Sequence, residues 1–124
     1  MKLFTVDEAN ATLPLIVPKL ERIRSLYAAL AEMRDPAKDA AAASEFGGGM
    51  AGGSRYVKTL YEIGKLTTEL SDTGIELKDY TRGLIDFPSL LDDRVVYLCW
   101  QIGEPMQLRW WHEIDAGFAG RTPL

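Results

Sequence analysis

The sequence is short of the residue types from which small proteins build covalent crosslinks and common metal motifs. One Cys among 124 residues cannot form an intrachain disulfide, so we expect a reducing compartment, the cytoplasm. One His excludes the helical His-Glu-x-x-His motif, because that motif needs a second His. No apolar run approaches the roughly 20 residues of a membrane span, and residues 1–8 lack the apolar core of a signal peptide. We therefore expect no association with a membrane.

Basic residues are also in deficit. The chain has 14 Lys and Arg against 18 Asp and Glu, which gives a net charge of -4 at pH 7. A broad nucleic-acid surface needs clustered Lys and Arg, so we expect no nucleic-acid partner. What the chain does have is a hydrophobic content of 47%, which is ordinary for a soluble globular domain. The length suits a single domain over residues 1–124 with one core.

Residues 5–73 carry helical patterns. Thr5 and Glu8 form a capping box, in which each side chain accepts a hydrogen bond from the other's backbone amide, so a helix is predicted from residue 6. Pro14 predicts an interruption after residue 12, because a proline beyond the first turn removes a hydrogen bond and clashes with the preceding turn. A second helix would then begin with Pro14 in its first turn, and Pro18 would bend it.

Apolar residues recur at spacings of three and four in two segments, which is typical of amphipathic helices. These residues are Leu13, Ile16, Leu20, Ile23, Tyr27 and Leu30 in the first segment and Tyr56, Leu60, Ile63, Thr67 and Leu70 in the second. The pattern predicts an antiparallel helical hairpin that ends at Gly74. Leu26, Met33, Val57 and Leu66 add apolar surface beyond what one partner helix covers. We therefore expect a homodimer in which two hairpins bury both stripes.

Between the two helices, residues 38–53 are rich in Ala and then in Gly. Each helical glycine costs about 1 kcal/mol relative to Ala, so the composition predicts a flexible and dispensable linker. Replacing residues 46–52 with a Gly/Ser linker is expected to change stability by less than about 1 kcal/mol. A phosphate-binding loop is disfavoured, because no Lys precedes Ser54 and no strand precedes the glycines.

After Gly74 the apolar period changes to two, which indicates strands. We predict a strand over residues 75–79, a turn over 80–83, and a short return strand over 84–87. Pro88 is expected to end that return strand, because proline cannot donate to the ladder, and residues 89–93 are expected to form a loop.

The strongest strand pattern covers residues 94–102, and a partner strand is predicted over 106–114. A three-residue connection over 103–105 would pair Trp100 with Leu108, Leu98 with Trp110 and Val96 with His112. That register places His112 on the side facing the helices and Trp111 on the opposite side, because a one-residue slip inverts every side chain. The predicted fold is α+β: a long antiparallel helical hairpin packed on a small antiparallel sheet of about four strands, formed by residues 74–124.

Several blocks of the sequence are similar to those of a known family. They are Phe4-Thr5 with Glu8-Ala9-Asn10 and Leu13-Pro14, Gly74-Ile75-Glu76-Leu77-Lys78-Asp79, Gly83-Leu84-Ile85-Asp86-Phe87-Pro88, Leu98-Cys99-Trp100 with Gly103-Glu104-Pro105, and Trp111-His112-Glu113 with Gly117-Phe118-Ala119-Gly120-Arg121. Together they resemble the prokaryotic domain-of-unknown-function family 2203 over nearly the whole chain except the linker. The resemblance implies a small bacterial cytoplasmic protein. It implies no activity and no catalytic residues.

The residue with the strongest chemical claim is His112, whose unperturbed pKa lies near neutrality. Glu113, Glu104, Asp86 and Asp79 are its candidate companions, and one His with carboxylates is a ligand set for a divalent metal. Neighbours on a strand point to opposite faces, so His112 and Glu113 should not share an ion without a bulge. A structural His bonded to a carboxylate or carbonyl is the favoured alternative. We predict an acidic side chain, first Asp86 or Glu104, within reach of His112.

Three further residues have a functional and a structural interpretation. Trp111 and Trp100 have the surface to stack a ligand ring, but packing in the core or an interface is favoured. Cys99 would need an activating base or dipole to act as a nucleophile. In mid-strand a cysteine is usually a small buried hydrophobic residue, and this interpretation is favoured.

Three functions remain open from the sequence. The first is an assembly or interaction protein that associates through its helices. The second is a small-molecule or divalent-metal-binding domain that uses the His and carboxylates of the sheet. The third is a hydrolytic enzyme with His112 as general base.

Overall fold

The computed structural model describes residues 1–33 and 50–124, so most of the predicted linker, residues 38–49, lies outside the described residues. The elements are α1 (Val6–Met33), α2 (Met50–Asp72), β1 (Glu76–Asp79), β2 (Leu84–Leu91), β3 (Arg94–Gln101), β4 (Trp110–Glu113), a short 3-10 helix (Phe118–Gly120) and β5 (Thr122–Pro123). The strands form one antiparallel sheet in the order β1-β2-β3-β4-β5. The α+β prediction is confirmed, with five strands in place of about four. In the described part of the chain, no helix is long and apolar enough to cross a bilayer.

The capping box at the start of α1 is confirmed. The Thr5 amide donates to Glu8 Oε1 at 3.1 Å, and the Glu8 amide donates to Thr5 Oγ1 at 3.0 Å. Phe4, just before the cap, is 4% exposed and packs in the core. The chain therefore enters α1 at a fixed angle, with its first large side chain buried.

The predicted break at Pro14 is wrong, because α1 runs without interruption from Val6 to Met33. Pro14 and Pro18 lie four positions apart on one face of the helix, and both are exposed. The carbonyls that lose their intrahelical partners are those four residues earlier, at Asn10 and Pro14, so they belong to this outer side. Burial of the opposite apolar face, where Leu13 and Leu20 are fully covered, holds the helix together through both prolines.

The hairpin of α1 and α2 is antiparallel, since Lys19 pairs with Glu69 at 3.3 Å and Arg22 pairs with Glu62 at 3.0 Å. Helix α2 begins at Met50, so Ser54 lies inside the helix and does not cap it. Gly74 is the predicted stop, and its φ of 97° is the left-handed conformation that glycine adopts most easily.

The main core lies between the helices and one face of the sheet. The helices contribute Leu13, Ile16, Val17, Leu20, Ile23 and Leu70, and the sheet half contributes Ile75, Ile85, Phe87, Leu98, Trp100 and Leu108. A second cluster near the far end of the hairpin contains Leu26, Leu30 and Ile63. Leu26, expected to need a second chain for its burial, is thus covered within this chain.

Strand β2 continues through Pro88 to Leu91, so the prediction that Pro88 ends it is wrong. The Pro88 carbonyl accepts a hydrogen bond from the Phe4 amide at 2.7 Å, so the backbone of Pro88 faces away from β3. A residue in an antiparallel strand points its nitrogen and its carbonyl to the same side. The missing N–H of Pro88 therefore costs no bond in the β2–β3 ladder.

The connection from β2 to β3 is a two-residue turn between the paired residues Leu91 and Arg94. Its residues Asp92 and Asp93 have φ values of 49° and 62°. Positive φ at both central positions is the signature of a type I′ turn, whose twist matches that of the flanking strands. The turn replaces the loop predicted over residues 89–93, and it fixes the register along the whole of β2 and β3.

The predicted register of β3 and β4 is wrong by one residue. The observed pairs are Val96 with Glu113, Tyr97 with His112, Leu98 with Trp111 and Cys99 with Trp110. The connection between β3 and β4 covers residues 102–109 and not the three residues predicted. Leu108, predicted to pair with Trp100, lies in this connection and outside the ladder. Its amide donates to Asn10 Oδ1 of α1 at 2.6 Å, and its side chain is buried in the main core.

The slip inverts both predicted faces of β4. His112 lies on the side away from the helices, together with its partner Tyr97 and with Cys99. Trp111, expected on that outer side, faces the helices and packs against the main core as a half-buried residue.

Candidate functional site

Three buried polar or thiol side chains lie together on the sheet face turned away from the helices. Asp86 of β2 and His112 of β4 are each 2% exposed, and Cys99 of β3 is 1% exposed. Asp86 is paired directly with Cys99 in the ladder, and His112 lies on the next strand. In antiparallel sheets this face is commonly exposed to water. Burial of an Asp, a Cys and a His here therefore requires other parts of the chain to cover them.

The predicted acidic partner of His112 is confirmed, and it is Asp86. His112 Nε2 lies 3.0 Å from Asp86 Oδ1, and His112 Nδ1 lies 2.7 Å from the backbone carbonyl of Glu113. A carbonyl only accepts, so Nδ1 carries a proton. Nε2 then shares a single further proton with Asp86, either as imidazolium with carboxylate or as imidazole with carboxylic acid. In both forms the pair has no net charge.

The electrostatics of the cluster follow from its burial. Burial raises the pKa of Asp86 above its usual range, and the charge and hydrogen bond of His112 oppose that rise. Burial also raises the pKa of Cys99 to about 12, and the nearby Asp86 adds to this rise. Cys99 is therefore a thiol at neutral pH, unlike a catalytic cysteine, whose pKa is lowered. His112 has both ring nitrogens engaged, which does not support a role as general base toward a substrate.

One side of the cluster is covered by Tyr97 and its partners on β1. The Tyr97 ring lies 5.5 Å from the His112 ring, and its hydroxyl donates to Glu76 at 2.8 Å. Lys78 binds Glu76 at 2.8 Å and places its ammonium 4.8 Å from the centre of the Tyr97 ring. Burial opposes ionisation of Glu76, but the hydrogen bonds from Lys78 and Tyr97 outweigh it and lower the pKa of Glu76.

The other side is covered by the C-terminal segment, residues 117–124. The Arg121 guanidinium lies 5.0 Å from the ring centre of Trp110 and 4.6 Å from that of Phe118. Its Nη2 donates to Glu104 at 2.8 Å and to the backbone carbonyl of Cys99 at 3.3 Å. The segment is thus attached to the strand that carries Cys99.

The other predicted carboxylates have partners of their own. Glu113 pairs with Arg94 at 2.6 Å, and Glu104 binds Arg121 and accepts from the Gln101 amide at 2.8 Å. Asp79 accepts hydrogen bonds from the backbone amides of the turn that follows it. Among the side chains of the predicted companions, only that of Asp86 is hydrogen-bonded to His112, since Glu113 binds it through its backbone carbonyl.

The two tryptophans predicted as stacking surfaces are parts of the packing. Trp100 is 2% exposed and donates from its indole to the Pro105 carbonyl at 2.9 Å. Trp111 packs on the main core, and the Arg94 guanidinium lies 5.8 Å from its ring centre.

Cys99 is the member of the cluster whose place in the sequence indicates packing alone. The signal that could have placed it is the Asp92-Asp93 pair between two apolar runs, because Asp adopts the positive φ of a two-residue hairpin more readily than most residues. Counting outward from that turn pairs Leu91 with Arg94 and, five steps further, Asp86 with Cys99. An acid would then have stood opposite the thiol.

Comparison with known proteins places the chain without describing its chemistry. The family model for an uncharacterised conserved protein, DUF2203, matches residues 2–124. No curated protein and no solved structure matches the chain.

Proposed function

The chain belongs to the DUF2203 family of uncharacterised conserved proteins, and on that premise we propose that it is a metal-binding domain. Asp86, Cys99 and His112 bind one divalent transition-metal ion, with zinc the best fit. Thiolate, imidazole and carboxylate are all ligands that zinc takes in proteins. The oxygen-preferring ions magnesium and calcium fit a site with a thiol less well.

The observation that carries the proposal is the convergence of three ligand atoms. An oxygen of Asp86, the sulfur of Cys99 and a ring nitrogen of His112 all lie within 4.8 Å of one another. Tetrahedral zinc with ordinary bond lengths separates a nitrogen and an oxygen ligand by about 3.4 Å and a nitrogen and a sulfur ligand by about 3.6 Å. His112 Nε2 and Asp86 Oδ1 are 3.0 Å apart, so a few tenths of an ångström of expansion would admit the ion between them.

The orientation of His112 also suits a metal ligand. Metal-binding histidines usually donate the N–H of the second ring nitrogen to a carboxylate or a backbone carbonyl. Here Nδ1 makes that bond to the Glu113 carbonyl at 2.7 Å. The bond fixes the tautomer and leaves Nε2 directed at Asp86, where the metal would bind.

Charge balance gives independent support. A Zn²⁺ ion, a Cys99 thiolate and an Asp86 carboxylate sum to zero, so the occupied cluster carries no net charge into a buried position. The metal-free cluster is also neutral, because it holds the thiol proton and the proton shared by Asp86 and His112. Zinc would therefore displace two protons without leaving an uncompensated buried charge.

Zinc titration with a competing chromophoric chelator tests the proposal. We expect one zinc ion per chain. Asp86→Asn, Cys99→Ser and His112→Gln should each weaken binding by at least about 100-fold, since losing an outer-shell partner alone typically costs 10–100-fold. Elemental analysis after gel filtration should show the bound ion directly.

Glu113→Gln is the matched control. Glu113 is adjacent to His112 in sequence but binds Arg94 at the surface, and its side chain is not part of the cluster. The control should bind zinc like the unmodified chain. Equal zinc binding by the cluster variants and the control would contradict the proposal.

Self-association is a second candidate function, favoured by a different observation. Val57, Leu60 and Tyr61 of α2 are 63%, 41% and 74% exposed on adjacent turns. We propose that a second copy of this chain covers this helix surface. Of the flanking residues that suggested a dimer, Leu26 and Leu66 are packed within the chain, so the proposal rests on this stripe.

Light scattering distinguishes the two states. A mass of twice 13.8 kDa is expected for the unmodified chain, and Tyr61→Glu should shift it to the monomer mass. Leu15→Glu is the control, because Leu15 is an equally exposed apolar residue on α1. A monomer mass for the unmodified chain at micromolar concentration would refute the proposal.

We place the protein in the bacterial cytoplasm as part of the same proposal, because a reduced Cys99 is needed both as thiol and as ligand.

A further inference from the structure

The Asp86–Cys99–His112 cluster is closed in the structure. With all three residues at most 2% exposed, a hydrated cation cannot reach them unless part of the cover moves. The cover has two parts, Tyr97 with its β1 partners and the C-terminal segment.

Tyr97 is poorly suited to move. It lies in β3, the middle strand of the sheet, and its backbone is paired with Pro88 on one side and with His112 on the other. Its hydroxyl is bonded to Glu76. Displacing Tyr97 would break the central ladder, which is the part of a sheet that opens locally at the greatest free-energy cost.

The C-terminal segment lies at the edge of the sheet, where opening costs less free energy than in a central strand. Its Leu124 amide donates to the Arg109 carbonyl at 2.9 Å, and the Arg82 guanidinium lies 3.9 Å from the centre of its Phe118 ring. Strand β5 forms two pairs with β4, Trp110 with Pro123 and Trp111 with Thr122. The segment begins at Gly117, whose φ is 66° and whose α-carbon has no atom within 4 Å of the place where a side chain would start. Gly117 therefore gives the start of the segment the conformational freedom of glycine.

Arg121 is the residue of this segment whose contact with the Asp86–Cys99–His112 cluster is direct. It is held between the rings of Trp110 and Phe118 and is bonded to Glu104. It also donates to the backbone carbonyl of Cys99, which is one of the cluster residues. Its Nε is buried and has no partner within the described residues, so its side chain is fixed by stacking and by Nη2.

We infer that residues 117–124 form a gate over the metal site and that Arg121 is the residue that keeps the gate closed. This inference rests on the proposed metal-binding function. Opening swings the segment about Gly117 and removes the guanidinium, which is a positive charge that opposes an approaching cation, from the side of Cys99. Arg121 is thus a positioning residue that controls the rate of metal exchange, while Asp86, Cys99 and His112 determine the affinity.

Alkylation of the thiol under native conditions tests the gate without any metal, because Cys99 is the single cysteine of the chain. Arg121→Met keeps an apolar side chain for the two aromatic rings but loses the bonds to Glu104 and Cys99. We expect it to increase the rate of Cys99 modification at least 10-fold. Glu104→Gln, which removes one charge of the same contact, should give a smaller increase.

Two control variants separate opening of the gate from a general loosening of the sheet. Arg94→Met removes a comparable arginine–carboxylate pair that also contacts a tryptophan, Trp111, but that pair is formed between β3 and β4 and not with the C-terminal segment. Lys78→Met loosens the other part of the cover. Both should leave the Cys99 rate within about twofold. Equal acceleration by Lys78→Met, or no acceleration by Arg121→Met, would overturn the inference.

Global unfolding is distinguished by urea denaturation of each variant. If the rate of Cys99 modification increases only by the factor by which the equilibrium constant for unfolding increases, global unfolding explains the change and the result counts against the gate. Stopped-flow mixing with zinc gives the second readout, in which Arg121→Met should speed zinc binding and release by similar factors. If zinc fails to bind while the thiol results stand, the metal function is wrong and the gate is right.

Discussion

The buried Asp86–His112 pair supports a quantitative prediction for stability. We expect His112→Ala to lower the free energy of unfolding by about 1–3 kcal/mol, measured by urea denaturation with a metal chelator present. The two side chains are 3% and 2% exposed and 3.0 Å apart, so water screens their contact very little. Removing one partner from a buried ion pair can cost about 3–5 kcal/mol when it leaves a charge behind. Burial raises the pKa of Asp86, and the substitution removes the His112 interactions that oppose this rise, so uptake of a proton by Asp86 offsets part of that cost.

The remaining cost is that of a neutral buried group without a partner, about 1–3 kcal/mol, together with the void left by the ring. Asp86→Ala should cost a similar amount, because it leaves Nε2 without a hydrogen bond. Asp86→Asn should cost less than about 1 kcal/mol. The Asn amide can donate to Nε2 while Nδ1 keeps its bond to Glu113, so the neutral imidazole stays satisfied.

A double-mutant cycle with Asp86→Ala and His112→Ala completes the test. The two substitutions should be coupled by about 1–2 kcal/mol, as residues in direct contact usually are. Arg94→Ala combined with Glu113→Ala is the comparison, because water screens that exposed pair and its coupling should be much weaker. The predicted role of the pair would be refuted if Asp86→Asn were as destabilising as Asp86→Ala, or if the cycle showed no coupling.

The metal site, the thiol and the helix prolines each give a further prediction. Because the Cys99 thiol must lose its proton to become a ligand, the apparent zinc affinity should rise by at least about 10-fold per pH unit between pH 6.5 and 7.5, and a slope below one proton in chelator competition would argue against a thiolate ligand. Burial raises the pKa of Cys99 to about 12, above the pKa of the thiol in the unfolded chain. The resulting contribution to stability is complete below the unfolded pKa and is lost as the pH rises toward the folded pKa. By pH 10 the unfolded thiol is ionised and the folded one is not, so relative to pH 7 the protein should lose about 1–2 kcal/mol more than its Cys99→Ala variant; equal losses in urea titrations would show that the thiol ionises in place. Pro14→Ala should raise the free energy of unfolding by about 1–3 kcal/mol by restoring a helix hydrogen bond, and a fall in melting temperature would show that α1 needs the proline.

Local chemistry is predictable from the sequence to the extent that its determinants are close in the chain. The Thr5–Glu8 capping box and the stop at Gly74 depend on neighbouring residues, and both are present. The predictions at Pro14 and Pro88 are wrong for a common reason. Pro14 lies on the exposed face of α1, and the backbone of Pro88 faces away from β3, so the missing N–H groups do not disrupt the helix or the β2–β3 ladder. Only the tertiary arrangement decides which way each proline faces.

The register of β4 is not predictable from pattern alone. Alternation fixes which residues share a face, but it does not fix which face meets the core. That choice depends on where the loop over residues 102–109 is held, and the contact that holds it joins Leu108 to Asn10, 98 positions away in the chain. The partnership of His112 with an acid is still predictable, because a buried imidazole needs a partner for each nitrogen.

The contact of Asn10 with Leu108 has a consequence for the order in which the protein forms. During synthesis the N-terminal helix leaves the ribosome long before β4 does, so its Asn10 side chain is in place when the last hairpin arrives. Phe4 likewise provides the amide that binds the Pro88 carbonyl. The first ten residues thus hold both β2 and the loop that leads into β4, although none of them belongs to the cluster. Shortening the N-terminus would leave the last strand free to pair one residue out of step, with its imidazole turned toward the helices.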